Sequence, residues 1–257
     1  MAAGNICSVL VTGANRGIGL ELVKHFLAKA TPPKVIFAAC RDPEGARAKE
    51  LKTLASKHPN LAILQLETTD EESVKAAAKK AEARLGGSGL NLLINNAGVM
   101  PPCTLESATA QDMLDVYNTN LVGPVLVTKA FLPLLKKAAH ASQQKGLNCT
   151  RAAIINMSTV LGSIEKTPET YFFMPVVSYR CSKAAMNMLT KCQSMSYKDD
   201  GILCTAIHPG WVKTDLGSQQ ADLTVEESVT GIMNVLCNLS EKHHGILLTW
   251  EGKTLPW

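Results

Sequence analysis

Short, almost wholly apolar runs alternate with amphipathic helical stretches along the whole 257-residue chain, and this alternation leaves few folds open. The runs at 8–12, 35–39, 61–66, 90–95, 152–157, 202–207 and 246–249 have the length of strands, and most are apolar at successive positions. Strands of that kind are buried on both faces of a sheet. Between them, apolar residues recur at helical spacing over about 17–30, 43–57, 70–85, 110–138, 177–199 and 224–239. Asp70-Glu71-Glu72-Ser73 and Thr224-Val225-Glu226-Glu227 put side-chain oxygens and negative charge where helix-start amides need partners. The order predicts an α/β fold: one Rossmann-type domain over 1–257, with a seven-stranded, mostly parallel sheet and helices on both faces.

Composition removes several functions. A net charge of +4, with Lys and Arg dispersed among Asp and Glu, does not make a nucleic-acid surface. The start, Met1-Ala2-Ala3-Gly4-Asn5-Ile6-Cys7, has no basic leader, and no apolar stretch approaches the roughly 20 residues of a membrane span. A cytoplasmic protein with no membrane partner is expected. The eight cysteines are scattered without a C-x-x-C pair, so they are expected to be reduced and mostly buried. No His, Cys or carboxylate cluster has metal-ligand spacing, and no metal is expected.

The first strand runs directly into Thr12-Gly13-Ala14-Asn15-Arg16-Gly17-Ile18-Gly19. Gly13 permits a tight turn, Gly17 lets backbone approach a pyrophosphate, and Gly19 lets the following helix pack on the sheet. Such a turn aims the helix amides and the positive end of the helix dipole at an anion. The second strand ends Phe37-Ala38-Ala39-Cys40-Arg41, without the acidic residue that holds the ribose 2′-hydroxyl of NAD. Arg41 and Arg16 offer planar, permanently charged groups to a 2′-phosphate, which favours NADP(H). A salt bridge from Arg41 to Asp42 or Glu44 is the competing arrangement.

Tyr179 and Lys183, four apart in a helical stretch, share one face about a turn apart. A tyrosine titrates near pH 10, and a neighbouring ammonium lets it exchange a proton more readily. Tyr171 is a rival hydroxyl, but four residues on it meets Pro175 and not a cation. His208, before Pro209, is read as a strand-end structural residue.

With these segments the chain resembles the short-chain dehydrogenase/reductase family over nearly its whole length. Asn95-Asn96-Ala97-Gly98 matches the family's N-N-A-G element, which places Asn96, Ala97 and Gly98 near the adenosine ribose. Pro209-Gly210-Trp211-Val212-Lys213-Thr214 matches its P-G-x-x-x-T turn, in which Pro209, Gly210, Val212 and Thr214 lie near the nicotinamide. Glu67, followed by Thr68, falls where the family often has an Asp near the adenine. The family's N-x-[GS]-S-x-x-G corresponds to Asn156-Met157-Ser158-Thr159-Val160-Leu161-Gly162, so the substrate-contacting hydroxyl falls on Thr159, with Ser158 as the alternative. Asn120, three before Gly123, resembles the fourth catalytic position, where its side chain would hold a water linking Lys183 to solvent.

Within the family the likeness is to sniffer-type carbonyl reductases and C-factor-like proteins, carried by segments such as His208-Pro209-Gly210-Trp211 and the ending Trp250-Glu251-Gly252-Lys253. The resemblance implies NADPH-dependent reduction of a small-molecule aldehyde, ketone or quinone, with Tyr179 as general acid, and a homodimer. An NADP(H)-binding signalling protein with little turnover and an NAD-linked alcohol dehydrogenase are the alternatives. The substrate pocket is expected from the stretch after Gly98, the insert 163–177 and the segment 216–223, with Tyr171, Phe172, Phe173, Met174 and Trp211 as apolar walls.

Overall fold

Val9 and Val11 pack on one face of the sheet and Leu10 on the other, so strand β1 (Ser8–Thr12) is buried at every position. The computed structural model describes residues 5–257, and the start of the leader reading, residues 1–4, lies outside them. In chain order there follow α1 (Gly17–Leu27), β2 (Val35–Cys40), α2 (Lys49–Lys57), β3 (Leu61–Gln65), α3 (Glu71–Leu85) and β4 (Leu92–Asn95). Next come α4 (Ala110–Tyr117), α5 (Gly123–Ala141), β5 (Ala153–Met157), α6 (Thr167–Thr170) and α7 (Val177–Tyr197). The chain closes with β6 (Leu203–His208), α8 (Val225–Asn238), β7 (Leu247–Thr249) and β8 (Thr254–Leu255).

The strands form one sheet in the order β3-β2-β1-β4-β5-β6-β7-β8, parallel from β3 to β7. The chain winds outward from β1 to β3, then crosses back to lay β4 against the other side of β1. That reversal leaves a crevice at the carboxyl ends of β1 and β4, where open α/β sheets bind ligands. Two apolar clusters, one on each face, hold the helices. One centres on Leu22, Phe26, Ile36 and Ile232, the other on Leu10, Phe37, Phe131 and Leu135.

Expected caps form. Asp70 accepts from the Glu72 and Ser73 amides, and Thr224 and Glu227 close a capping box on α8. The expected seven-stranded sheet has eight strands among the described residues: the added β8 has only two residues and pairs antiparallel with β7. A two-residue strand has no periodicity to read. The helix expected over 110–138 is α4 and α5 joined by a π-helical turn, Asn118–Val122. One wide turn hardly disturbs helical periodicity, so the sequence reads straight through it.

Cys40, Cys103, Cys149 and Cys204 are buried, while Cys7, Cys181, Cys192 and Cys237 are exposed, so the expectation of mostly buried thiols holds for only half of them. All eight are free. Among the described residues no helix is long and apolar enough to cross a membrane, and no three His, Cys, Asp or Glu side chains converge as a metal site.

Candidate active site

The glycine turn opens onto a cleft of about 850 Å³ at the carboxyl ends of the strands. Gly13 has φ +63° and a Cβ there would stand 3.0 Å from the Ala97 Cα, so only glycine fits the turn. A Cβ on Gly19 would press into the Gly13 carbonyl and the Asn96 amide, so α1 can lie against the sheet only with glycine there. Thr12 fastens the turn to the loop after β4: its Oγ1 accepts from the Asn96 and Ala97 amides at 3.0 and 3.1 Å. Asn96 Nδ2 donates to the Thr12 carbonyl at 2.9 Å.

Unlike α3, α4 and α8, helix α1 has no side-chain cap, and its first turn carries no acidic residue. Its first amides are therefore left without an intrahelical or capping partner beside the cleft, the donor set that a pyrophosphate needs. A nicotinamide dinucleotide fits this cradle.

Around the cleft stand Gly13, Asn15, Arg16, Gly17, Ile18, Gly19, Arg41, Glu67, Thr68, Asn96, Ala97, Gly98, Tyr179, Lys183, Pro209 and Thr214, all named from the sequence. Four other candidates do not form its wall. Gly210, at φ +85°, makes a turn in which a Cβ would meet Leu223 and Trp250. Val212 is buried and bridges to Leu223. Thr159 and Asn120 stand just behind the wall.

At the adenosine end the Asp42 carboxylate shares the cleft lining with Arg41 but is engaged by the turn that follows it. Asp42 Oδ1 accepts from the Glu44 and Gly45 amides at 3.2 and 2.9 Å, and Glu44 pairs with Lys52. Arg16 is not free in the same way, since its Nη1 lies 3.0 Å from Asp215 across the mouth of the cleft. Arg47, exposed on the turn before α2, faces the same space as Arg41 and was missed from the sequence. The available signal was an arginine six residues beyond Arg41, ahead of the next helix.

At the other end α7 carries Tyr179 and Lys183 into the protein, 7% and 4% exposed. Lys183 Nζ donates to the Met157 carbonyl at 2.7 Å and sits 5.6 Å from the Tyr179 ring centre. Burial without a carboxylate partner lowers the lysine to about 8. Burial also pushes the Tyr179 hydroxyl up from its ordinary value. The tyrosine keeps its proton throughout the neutral range.

The hydroxyls after β5 divide by what they bond. Asn187 donates through Nδ2 to the Gly162 carbonyl, so its Oδ1 faces Ser158 and accepts that hydroxyl's proton at 2.6 Å. Thr159 Oγ1 accepts from the Leu161 amide at 3.2 Å, which leaves its proton uncommitted. Ser158 contributes to the cleft wall and Thr159 does not, yet Thr159 has the hydroxyl still able to donate. Asn120 is fully buried in the π turn. Its Oδ1 accepts from the Val99 amide at 2.8 Å, and its Nδ2 donates to the Val99 carbonyl and to Ser182 Oγ at 2.9 and 3.0 Å. Both amide hydrogens are thus spent on the loop after Gly98 and on α7. His208 lowers its pKa to about 4 by burial and lies off the wall, at the end of β6.

This chain is similar to several known proteins. The family model for short chain dehydrogenase matches residues 8–223. The NADPH-bound carbonyl reductase from chicken fatty liver is 56% identical with a TM-score of 0.94, over 98% of this chain and 100% of that one. Carbonyl reductase Sniffer of D. melanogaster is 40% identical, also at 0.94 and over 98% and 100%. The C-signal of Myxococcus xanthus is 31% identical over 65% of this chain and 93% of its own length.

Proposed function

The chain belongs to the short-chain dehydrogenase family, and from that premise we propose that it is an NADPH-dependent carbonyl reductase with Tyr179 as its general acid. The observation that carries the reading is one cleft with uncapped helix amides and Arg41 at one end, and a buried Tyr179–Lys183 pair at the other. The 56% identical chicken liver protein, a carbonyl reductase with NADPH bound, supports the cofactor and the reaction class.

When bound, the reduced nicotinamide supplies a hydride to the carbonyl carbon. Arg41, with Arg47 beside it, holds the 2′-phosphate, and the amides at the start of α1 hold the pyrophosphate. Thr159, whose hydroxyl proton is uncommitted, keeps that proton and donates a hydrogen bond to the carbonyl oxygen, which fixes its direction. Tyr179, protonated at neutral pH, gives its proton to that oxygen as negative charge develops there. Lys183, with a pKa of about 8 and so mostly charged at pH 7, stabilises the tyrosinate left behind. Asn120 is a positioning residue, tying the loop at Val99 to Ser182 on α7.

Apolar side chains left exposed on α4, α5 and α7, namely Leu114, Tyr117, Val125, Met188 and Met195, support a homodimer. The exposed free thiols Cys7, Cys181, Cys192 and Cys237 suit a reducing compartment such as the cytoplasm. The reading is tested by following NADPH oxidation with aromatic aldehydes, diketones and quinones, with NADH and Tyr179→Phe as controls. Turnover that requires NADPH and is lost in the variant is expected. A folded protein that binds NADPH and reduces none of them would overturn it.

A further inference from the structure

Beside Tyr179, on the same turn of α7, Arg180 is 7% exposed, and among the described residues every hydrogen-bond partner of its guanidinium is a neutral oxygen rather than a carboxylate. Its guanidinium is instead spent on one stretch of chain, the insert between β5 and α7. Nε donates to the Met174 carbonyl at 2.8 Å, Nη2 to the Thr170 carbonyl at 2.6 Å, Nη1 to Thr170 Oγ1 at 3.0 Å and, more weakly, to the Leu161 carbonyl at 3.5 Å. The Tyr171 ring lies 5.7 Å from the guanidinium carbon, completing the enclosure. A charged group buried against neutral oxygens alone is unusual, because its desolvation is repaid only if those oxygens stay in place.

What the guanidinium holds leads to the cleft mouth. The insert has only one short helix, α6, and it presents Phe172 and Phe173 outward, 91% and 65% exposed. Phe173 meets Trp211 edge to face with ring centres 5.1 Å apart, so the insert touches the turn after β6. That turn leads to Lys213 and Thr214 in the cleft wall. A chain of contacts therefore runs from the helix that bears Tyr179, through Arg180, to an aromatic pair between two loops, just beyond the residues that line the cleft.

Resting on the carbonyl-reductase reading, we propose that Arg180 is a positioning residue for substrate specificity: it anchors the 170–174 insert to α7, so that the Phe173–Trp211 wall is held at a fixed distance from Tyr179. Bulky aromatic carbonyls use that wall and small aliphatic ones do not. The forked geometry is required, because four separate oxygens are reached by one rigid plane, which an ammonium cannot match.

The test compares Arg180→Met and Arg180→Lys with wild type, using phenanthrenequinone as the bulky carbonyl and diacetyl as the small one. In Arg180→Met, KM for phenanthrenequinone is expected to rise roughly tenfold or more, while kcat/KM for diacetyl and KM for NADPH stay within about twofold. Arg180→Lys should fall between. Thr170→Val, which removes one acceptor without touching α7, should shift KM for phenanthrenequinone in the same direction by a smaller factor, and it keeps the test readable if the Arg180 variants fold poorly. Equal losses with both carbonyls, or no loss with either, overturn the proposal. Amide hydrogen exchange is the readout independent of turnover: residues 164–174 should exchange faster in Arg180→Met while those of β5 do not. If wild type reduces neither carbonyl, the reductase reading fails, and exchange still decides whether Arg180 anchors the insert.

Discussion

The two ends of the cleft are built on opposite plans. The phosphate end is made of backbone and exposed charge: a glycine turn, uncapped amides, and Arg41 and Arg47 reaching in from solvent. The end proposed for proton transfer is made of side chains taken out of water, with Tyr179 and Lys183 each under a tenth exposed and Asn120 wholly enclosed. An anion is bound well by fixed dipoles and mobile cations, since the ligand brings its own charge. A proton is transferred well only where burial sets which group holds it. Substitutions should therefore act on binding at one end and on the chemical step at the other.

The largest effect is expected at Tyr179. Tyr179→Phe keeps the ring in its packed site and removes the proton, so kcat should fall by about two to four orders of magnitude with NADPH affinity nearly unchanged, read by steady-state rates beside a cofactor titration. A comparable loss of affinity would erase the contrast between the two ends. Next, Thr159→Val removes the donor proposed for the carbonyl oxygen and should cost on the order of a hundredfold in kcat. Ser158→Ala should cost less, because that proton is already given to Asn187. The reverse ranking would move the substrate contact to Ser158.

At the other end, Arg41→Asp removes the charge-assisted bond proposed to the 2′-phosphate and should weaken NADPH roughly ten- to a hundredfold in Kd, with kcat for saturated enzyme kept. NADH should gain in relative terms. The smallest effect is expected at the pair joining the ends of the mouth. Asp215→Asn breaks the contact with Arg16, but both side chains are largely exposed, 45% and 70%, so folding stability should change by less than about 1 kcal/mol.

Burial of Lys183 also makes a prediction about stability. Its folded-state pKa of about 8 lies below the 10.5 of a free lysine, so the unfolded chain binds more protons between those values. The cost of burying the charge is complete below pH 8 and is relieved as pH rises through that window. Buried Cys149 and Cys204, held up by desolvation, work the other way once free thiols ionise, above about pH 9. The quantity to measure is therefore the stability difference between Lys183→Met and wild type by denaturant titration. The variant's advantage should be greatest near pH 7 and shrink toward pH 10.

Legibility from sequence followed the same division. The glycine turn, the strand ends and the i, i+4 pair on α7 are local patterns, and each lies where its residue types require. Asp70 and Thr224 cap α3 and α8 as their sequences imply. Arg47 left only its spacing from Arg41 as a signal, because nothing else local distinguishes an arginine facing a cleft from one facing solvent. The bonding of Asn120, whose partners Val99 and Ser182 lie 21 and 62 residues away, was not legible. Nor were the partners of Arg180, which the folded insert supplies from Leu161, Thr170 and Met174.

By itself the sequence determined the α/β class, the strands, the anion-binding turn and the identity of the tyrosine and lysine, because short-range sterics and periodic burial are written in neighbouring residues. Tertiary structure alone decided which protons are free to move. That choice depends on desolvation of Tyr179 and Lys183, on the partner that Ser158 takes and Thr159 lacks, and on the oxygens that enclose Arg180. These are contributed by segments distant along the chain and made neighbours only by the packing of α7 against the sheet.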